Sequence, residues 1–163
     1  MLNAQDIAKY FFCLDKDSHL FPYSDIVELQ GSTMYVGNVR VNKYLHIAQN
    51  LYIAKYGKEL FHDDMYAYKN GAVIKDVQLN YQALKNDKFD PSVIDETTKV
   101  FLDKIYKILQ NAPLADLIKI SHEDPEWEEK SSLYGAKQKM YSVSKKQEYQ
   151  DQYSDTLSML ERV

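Results

Sequence analysis

Four histidines, one cysteine and a short run of lysines are the side chains of this chain that could carry chemistry. The histidines are His19, His46, His62 and His122, and no two stand in a His-x-x-x-His pair or another strong metal-ligand spacing. His62-Asp63-Asp64 has the atoms to hold a cation, but a solvated loop between a helix and a strand is the favoured reading. His122-Glu123-Asp124 resembles it, with no third partner placed by sequence. Cys13 sits beside the apolar positions of the first helical segment and reads as a small core residue. A nucleophilic cysteine would need a base and an electropositive setting, which the sequence does not display. Lys137, Lys139, Lys145 and Lys146 form a modest basic cluster offset by Glu128, Glu129, Glu148 and Asp151, so a solvated face is expected. Gly-x-Gly-x-x-Gly, Gly-x-x-x-x-Gly-Lys and Gly-x-Ser-x-Gly are all absent. The residues themselves give no catalytic, metal or cofactor assignment, and a non-enzymatic protein is expected.

The elements that would position these residues read as mainly helical. The chain has 163 residues, which suits one domain over 1–163, and only five Gly and four Pro, too little punctuation for a many-turned β fold. A first helix is expected from Gln5 to about Leu14, capped by Asn3, with Ile7, Phe11 and Leu14 on one face. Segment 15–38 breaks the pattern, and a short hairpin is expected across the Gln30-Gly31-Ser32 turn. From Val41 to Tyr56, apolar residues recur at helical spacing until Gly57 stops them. Asn70-Gly71 marks a turn: either a small hairpin, or a strand running on into a helix through Val77, Tyr81 and Leu84. The second is preferred because only three apolar residues follow the glycine. A long helix is expected from Pro91 with Asp90 as its cap, a shorter one from Pro113, and a last one over Lys145 to Arg162. Residues 121–127 read as a polar connection. The expected fold is a compact helical single domain with a small β-hairpin or two to three short strands.

Charge and composition narrow the function classes. Twenty Lys and Arg against 24 Asp and Glu give a net charge of −4, which disfavours a protein that works by neutralising phosphates. No apolar run approaches the roughly 18–20 residues of a membrane span. The N-terminal residues show no basic n-region, and the lone cysteine suits a reducing compartment, so a cytoplasmic protein is expected. The chain carries 14 Tyr against one Trp. Tyrosine joins a large apolar ring to a polar tip and serves both half-buried positions and protein-binding surfaces.

Residues 38–61 resemble the helix of the SocA-like, or Panacea, antitoxin family of bacteria and phages, whose pattern is L-x-K-L-L-Y-x-A-Q-x-x-x-L-A-x-x-G-x-P-L-F. Val41, Lys43, Tyr44, Leu45, Ala48, Gln49, Ala54, Gly57, Leu60 and Phe61 occupy the matching places. The family's A-W-x-x-G-P-V is similar to residues 67–73, with Tyr68 for the tryptophan and Ala72 for the proline. Its S/T-H-x-E/D followed by proline and tryptophan is similar to Ser121, His122, Asp124, Pro125 and Trp127. Lys58-Glu59 lacks the family's proline, and segment 15–38 is longer than expected.

The resemblance implies binding rather than catalysis: an antitoxin that neutralises a toxin encoded next door by direct contact. One branch of the family resembles proteolytic adaptors that deliver their toxin to a Clp-type protease. The toxins themselves are diverse, so the partner is not inherited by analogy. Tyr68, Lys69, Asn70, Gly71, His122 and Trp127 are the candidate partner-binding residues. The competing reading is that His122 and Trp127 lock the C-terminal connection onto the core. Three rival functions stand beside the antitoxin. They are a phage or mobile-element protein that binds a host factor without a partner toxin, an enzyme built on His122 with Asp63 or Asp64, and a DNA-binding autorepressor.

Overall fold

The computed structural model describes residues 2–134, 137–140 and 143–163. Helix α1 spans Ala4–Leu14, and the Asn3 side chain accepts from the Asp6 amide as its cap. Ala4, Ile7, Ala8 and Phe11 form its buried face, while Cys13 points to solvent. The expectation of a core cysteine is therefore corrected: two positions beyond Phe11, residue 13 has rotated off the apolar face. Past α1, the buried Asp15 carboxylate accepts from the amides of His19, Leu20 and Phe21. That bend seats Phe21 edge-on against Tyr44, with ring centroids 5.2 Å apart.

Strands β1 (Ile26–Leu29) and β2 (Ser32–Tyr35) form the expected hairpin around Gln30 and Gly31. Helix α2 then runs Val36–Tyr56, starting five residues before the expected Val41 because β2 passes directly into it. Gly37 is required there. A Cβ would lie 1.8 Å from the Tyr81 hydroxyl, which donates to the Pro22 carbonyl. The left-handed Gly57 ends the helix as expected.

The apolar stripe of α2 understates its position, because the helix is buried on all sides. It packs against α1, helix α5 (Glu96–Leu109), helix α6 (Leu114–His122), helix α8 (Lys146–Gln152) and strand β4 (Gly71–Ile74). Its core residues include Tyr44, Leu45, Ala48 and Leu51, and Asn42, Lys43, His46, Gln49 and Asn50 are buried with them.

Strand β3 (Met65–Tyr68) pairs antiparallel with β4, Tyr68 opposite Gly71. The preference for a strand without a hairpin is corrected, although β4 does run straight on into α3 (Lys75–Gln78), with α4 (Tyr81–Asn86) following. Three apolar residues suffice because α2 covers β4, all four residues of which are buried. Strand β5 (Gln138–Met140) adds to the other edge of β3, giving the order β4-β3-β5.

Asp90 caps only a 3-10 turn over Pro91–Val93, and α5 starts at Glu96 under a second cap, Asp95, which accepts from the Thr98 amide at 2.8 Å. The break lies at Ile94, whose extended backbone turns its side chain into the core. The expected C-terminal helix is likewise divided, into α8 and α9 (Ser154–Arg162), at the buried Tyr153. Residues 121–127 are no loose connection. Ser121 and His122 end α6, and Pro125 opens α7 (Pro125–Tyr134). Asp124 between them accepts from the Trp127 amide at 2.8 Å. The fold is mainly α, with two small sheets and no described helix long and apolar enough to cross a membrane.

Candidate functional site

The α6–α7 corner, the β3–β4 turn and the middle of α2 meet at one place. Asp124 is fully buried, and its Oδ2 accepts from the His46 ring at 2.8 Å and from Asn50 Nδ2 at 2.6 Å. Burial alone would raise the Asp124 carboxyl. The His46 ring, the Trp127 amide and Asn50 outweigh it and hold the group below its ordinary range. On the other edge of the imidazole, Ser121 Oγ lies 3.3 Å from Nδ1 and accepts from the Ala72 amide at 3.0 Å. The relay Ser121–His46–Asp124 thus ties β4, α2, α6 and α7 together.

These three residues have the types of a hydrolytic triad, but the space above the serine is occupied. A Cβ on Gly71 would stand 2.2 Å from Ser121 Oγ, so the β4 backbone lies directly against the serine. The arrangement gives the buried Asp124 carboxylate three donors and ties the 68–71 turn to α6 through the Ala72 amide.

The turn is held from a second side by Trp127 and His122. Trp127 Nε1 donates to the Tyr68 carbonyl at 2.7 Å, and the Trp127 ring stacks on His122 with centroids 4.4 Å apart. Burial lowers the His122 pKa, the Lys43 charge adds to this, and a hydrogen bond with the Lys69 backbone opposes it. All six sequence-derived candidates therefore come together. Tyr68, Lys69 and Asn70 line a groove, Lys69 exposed and the other two half-buried, while Gly71 is buried and the half-buried His122 and Trp127 stack on each other. The other histidine motif disperses. His62 pairs with Glu59 at 2.6 Å, Asp63 accepts from the Ala4 amide, and Asp64 pairs with Lys139 at 2.8 Å. Among the described residues no group of three or more His, Cys, Asp or Glu could hold a metal ion. The lysine cluster also splits, with Lys145 on Glu129 at 2.8 Å and Lys137 beside the 68–71 turn.

Tyr68, Lys69 and Asn70 line one wall of a groove of about 450 Å³. Ser32 and Met34 of β2 form another wall, and Asn38, Val39, Asn42 and Lys43 of α2 form its floor. Lys43 is 1% exposed, and its Nζ donates to the Ala72 carbonyl at 3.3 Å. Burial pulls its pKa down to about 7. Unfolded, the amine titrates near 10.5. Between those values the unfolded chain binds the extra proton, so this group makes stability rise with pH by up to ~1.4 kcal/mol per pH unit. Urea midpoints of the native chain minus those of Lys43→Met are expected to rise from pH 7 to pH 9. A constant difference would show that Lys43 stays charged in the folded protein.

Sequence reasoning missed the buried polar stripe Asn42, His46, Gln49 and Asn50. A signal was present: α2 contains no Asp or Glu, and Asn38, Asn42, Gln49 and Asn50 are amides, which is unlike a solvated helix face.

Comparison with known proteins gives a match over residues 41–128 to the family described as antitoxin SocA-like, Panacea domain. No match was found among curated proteins or solved structures. The matched region begins in the buried half of α2, includes the 68–71 turn and ends just past Trp127, so it contains the whole assembled cluster. The chain belongs to the SocA-like antitoxin family, Panacea domain.

Proposed function

We propose that this chain is an antitoxin that neutralises a cognate toxin by direct protein–protein contact through the outer edge of the 68–71 turn. The family match over residues 41–128 carries this reading. The geometry supports it by dividing the six candidate residues into two jobs. Tyr68, Lys69 and Asn70 line a groove, and Tyr68 supplies the kind of aromatic anchor that concentrates binding energy at interfaces. Gly71, His122 and Trp127 act from behind, because the indole N–H and the stacked imidazole are engaged within the protein. A rigid turn loses little conformational entropy on binding, which is the benefit of holding it from two sides.

Growth rescue tests the reading. The open reading frame adjacent to this gene is expressed from an inducible promoter with and without the chain, and colony formation is followed. The expected result is toxicity alone and normal growth together. A neighbour that is harmless by itself removes the basis of the reading and favours a phage or mobile-element protein directed at a host factor. Should rescue depend on a Clp-type protease, the chain acts as an adaptor as well as a ligand for the toxin.

A further inference from the structure

The groove beneath the 68–71 turn has an unusual charge pattern for a chain of net charge −4. Lys43 lies at its floor, with Lys69 and Lys137 exposed at its rim, and among the described residues its lining includes no Asp or Glu. The rest of the lining is apolar or amide: Met34, Val39 and Val73 against Asn38, Asn42, Asn70 and Gln78. A buried ammonium is costly unless a counter-charge reaches it, and among the described residues the hydrogen bond that Lys43 makes goes to a neutral acceptor, the Ala72 carbonyl. The groove does not end at β2. A second hollow of about 330 Å³ shares Met34, Asn38 and Gln78 with it and runs on to Ile26 and Tyr35, both exposed. Together they form one elongated trough, longer than a single small carboxylate would fill.

We propose that this trough binds an extended acidic segment of the partner protein, placing one Asp or Glu carboxylate on Lys43 and apolar neighbours against Met34, Val39 and Val73. Lys69 and Lys137 steer the segment in, and Ile26 and Tyr35 receive its continuation along the hairpin. The charge complementarity and the apolar lining side chains Met34, Val39 and Val73 fix the chemistry of the segment. Only the identity of its owner, the toxin, rests on the antitoxin reading.

The test uses the full chain and random heptapeptides displayed on phage, followed by fluorescence anisotropy of the selected peptides in synthetic form. Selected peptides are expected to share an Asp or Glu beside an aliphatic or aromatic residue. Changing that acid to its amide is expected to weaken binding at least tenfold. Lys43→Met is expected to cause a similar loss while circular dichroism and the urea transition show a folded protein. The double variant Lys69→Glu with Lys137→Glu, which leaves the core untouched, is expected to weaken binding several-fold and to flatten its salt dependence. Selection of no peptide, of peptides without an acid, or of peptides that bind Lys43→Met equally well would overturn the proposal. So would full displacement by free glutamate or succinate at millimolar concentration, which would make the groove a small-carboxylate site. The two readings fail separately. A harmless neighbouring gene product removes the antitoxin and leaves the peptide result standing. Undiminished rescue by Lys43→Met removes the groove from toxin recognition and leaves the antitoxin standing.

Discussion

Asp124→Ala is expected to destabilise the protein by about 3–5 kcal/mol, the usual cost of removing one partner from a buried charged network. Three donors lose their acceptor together: the His46 ring at 2.8 Å, Asn50 Nδ2 at 2.6 Å and the Trp127 amide at 2.8 Å. The first two are fully buried and have no water to turn to, while the third is the cap of α7. In a chain of this size the melting temperature should fall by roughly 10 °C. The variant should also lose part of its acid limb. The Asp124 carboxyl sits below its ordinary range in the folded protein, so its stabilisation is complete above about pH 4 and disappears as pH falls through the folded value. Urea titrations at pH 3 and pH 6 should therefore differ less in Asp124→Ala than in the native chain. An equal difference in both would place the acid sensitivity elsewhere.

Gly71→Ala is the second large effect, and its origin is steric. At φ +115 the backbone is in a region that side chains rarely adopt, which costs about 1–3 kcal/mol by itself. The added Cβ would then stand 2.2 Å from Ser121 Oγ and 2.7 Å from Lys43 Nζ. The serine has little room to retreat, since the Ala72 amide and the His46 ring hold its hydroxyl. Overpacking adds about 1–3 kcal/mol, so a total near 4 kcal/mol is expected from chemical denaturation. Gly31→Ala is the matched control. Its φ is +84, but no atom lies within 4 Å of the new Cβ, so only the backbone strain should appear. Equal losses in the two variants would mean that the fit of Gly71 onto Ser121 contributes nothing.

These two residues also show which parts of the molecule were legible in its sequence. Gly71 was readable, because Asn-Gly is a local turn signal and the flanking residues had only to find a cover. Asn3, Gly57 and the 30–32 turn were readable for the same reason: each acts within a few residues of itself. Asp124 was not. Its partners His46 and Asn50 lie 78 and 74 positions away, and no periodicity links a helix interior to a corner that distant. His46 accordingly looked like an unpaired histidine, and residues 121–127 looked like a polar loop instead of two helix ends closing on a buried carboxylate. The boundary at Asp95 was missed for a related reason. Two aspartates five residues apart can each cap a helix, and burial of Ile94 between them decides in favour of the second. Family resemblance placed Tyr68, Gly71, His122 and Trp127 in one set, and their assembly around the turn is what the structure adds. That Tyr68, Lys69 and Asn70 line a groove while Trp127 braces the turn required coordinates, because the indole bonds to the Tyr68 carbonyl, 59 positions away.

Growth rescue by a surface variant tests most directly the claim that the outer edge of the 68–71 turn is where the toxin binds. The double variant Tyr68→Ala with Lys69→Glu changes side chains at that edge and leaves the Tyr68 carbonyl, and hence its bond from Trp127, in place. Co-expressed with a toxic neighbour at the same protein level as the native chain, and with an unchanged urea midpoint, it is expected to lose rescue by at least tenfold in colony count. Full rescue by that folded double variant would contradict the claim and move the toxin contact to another face of the molecule.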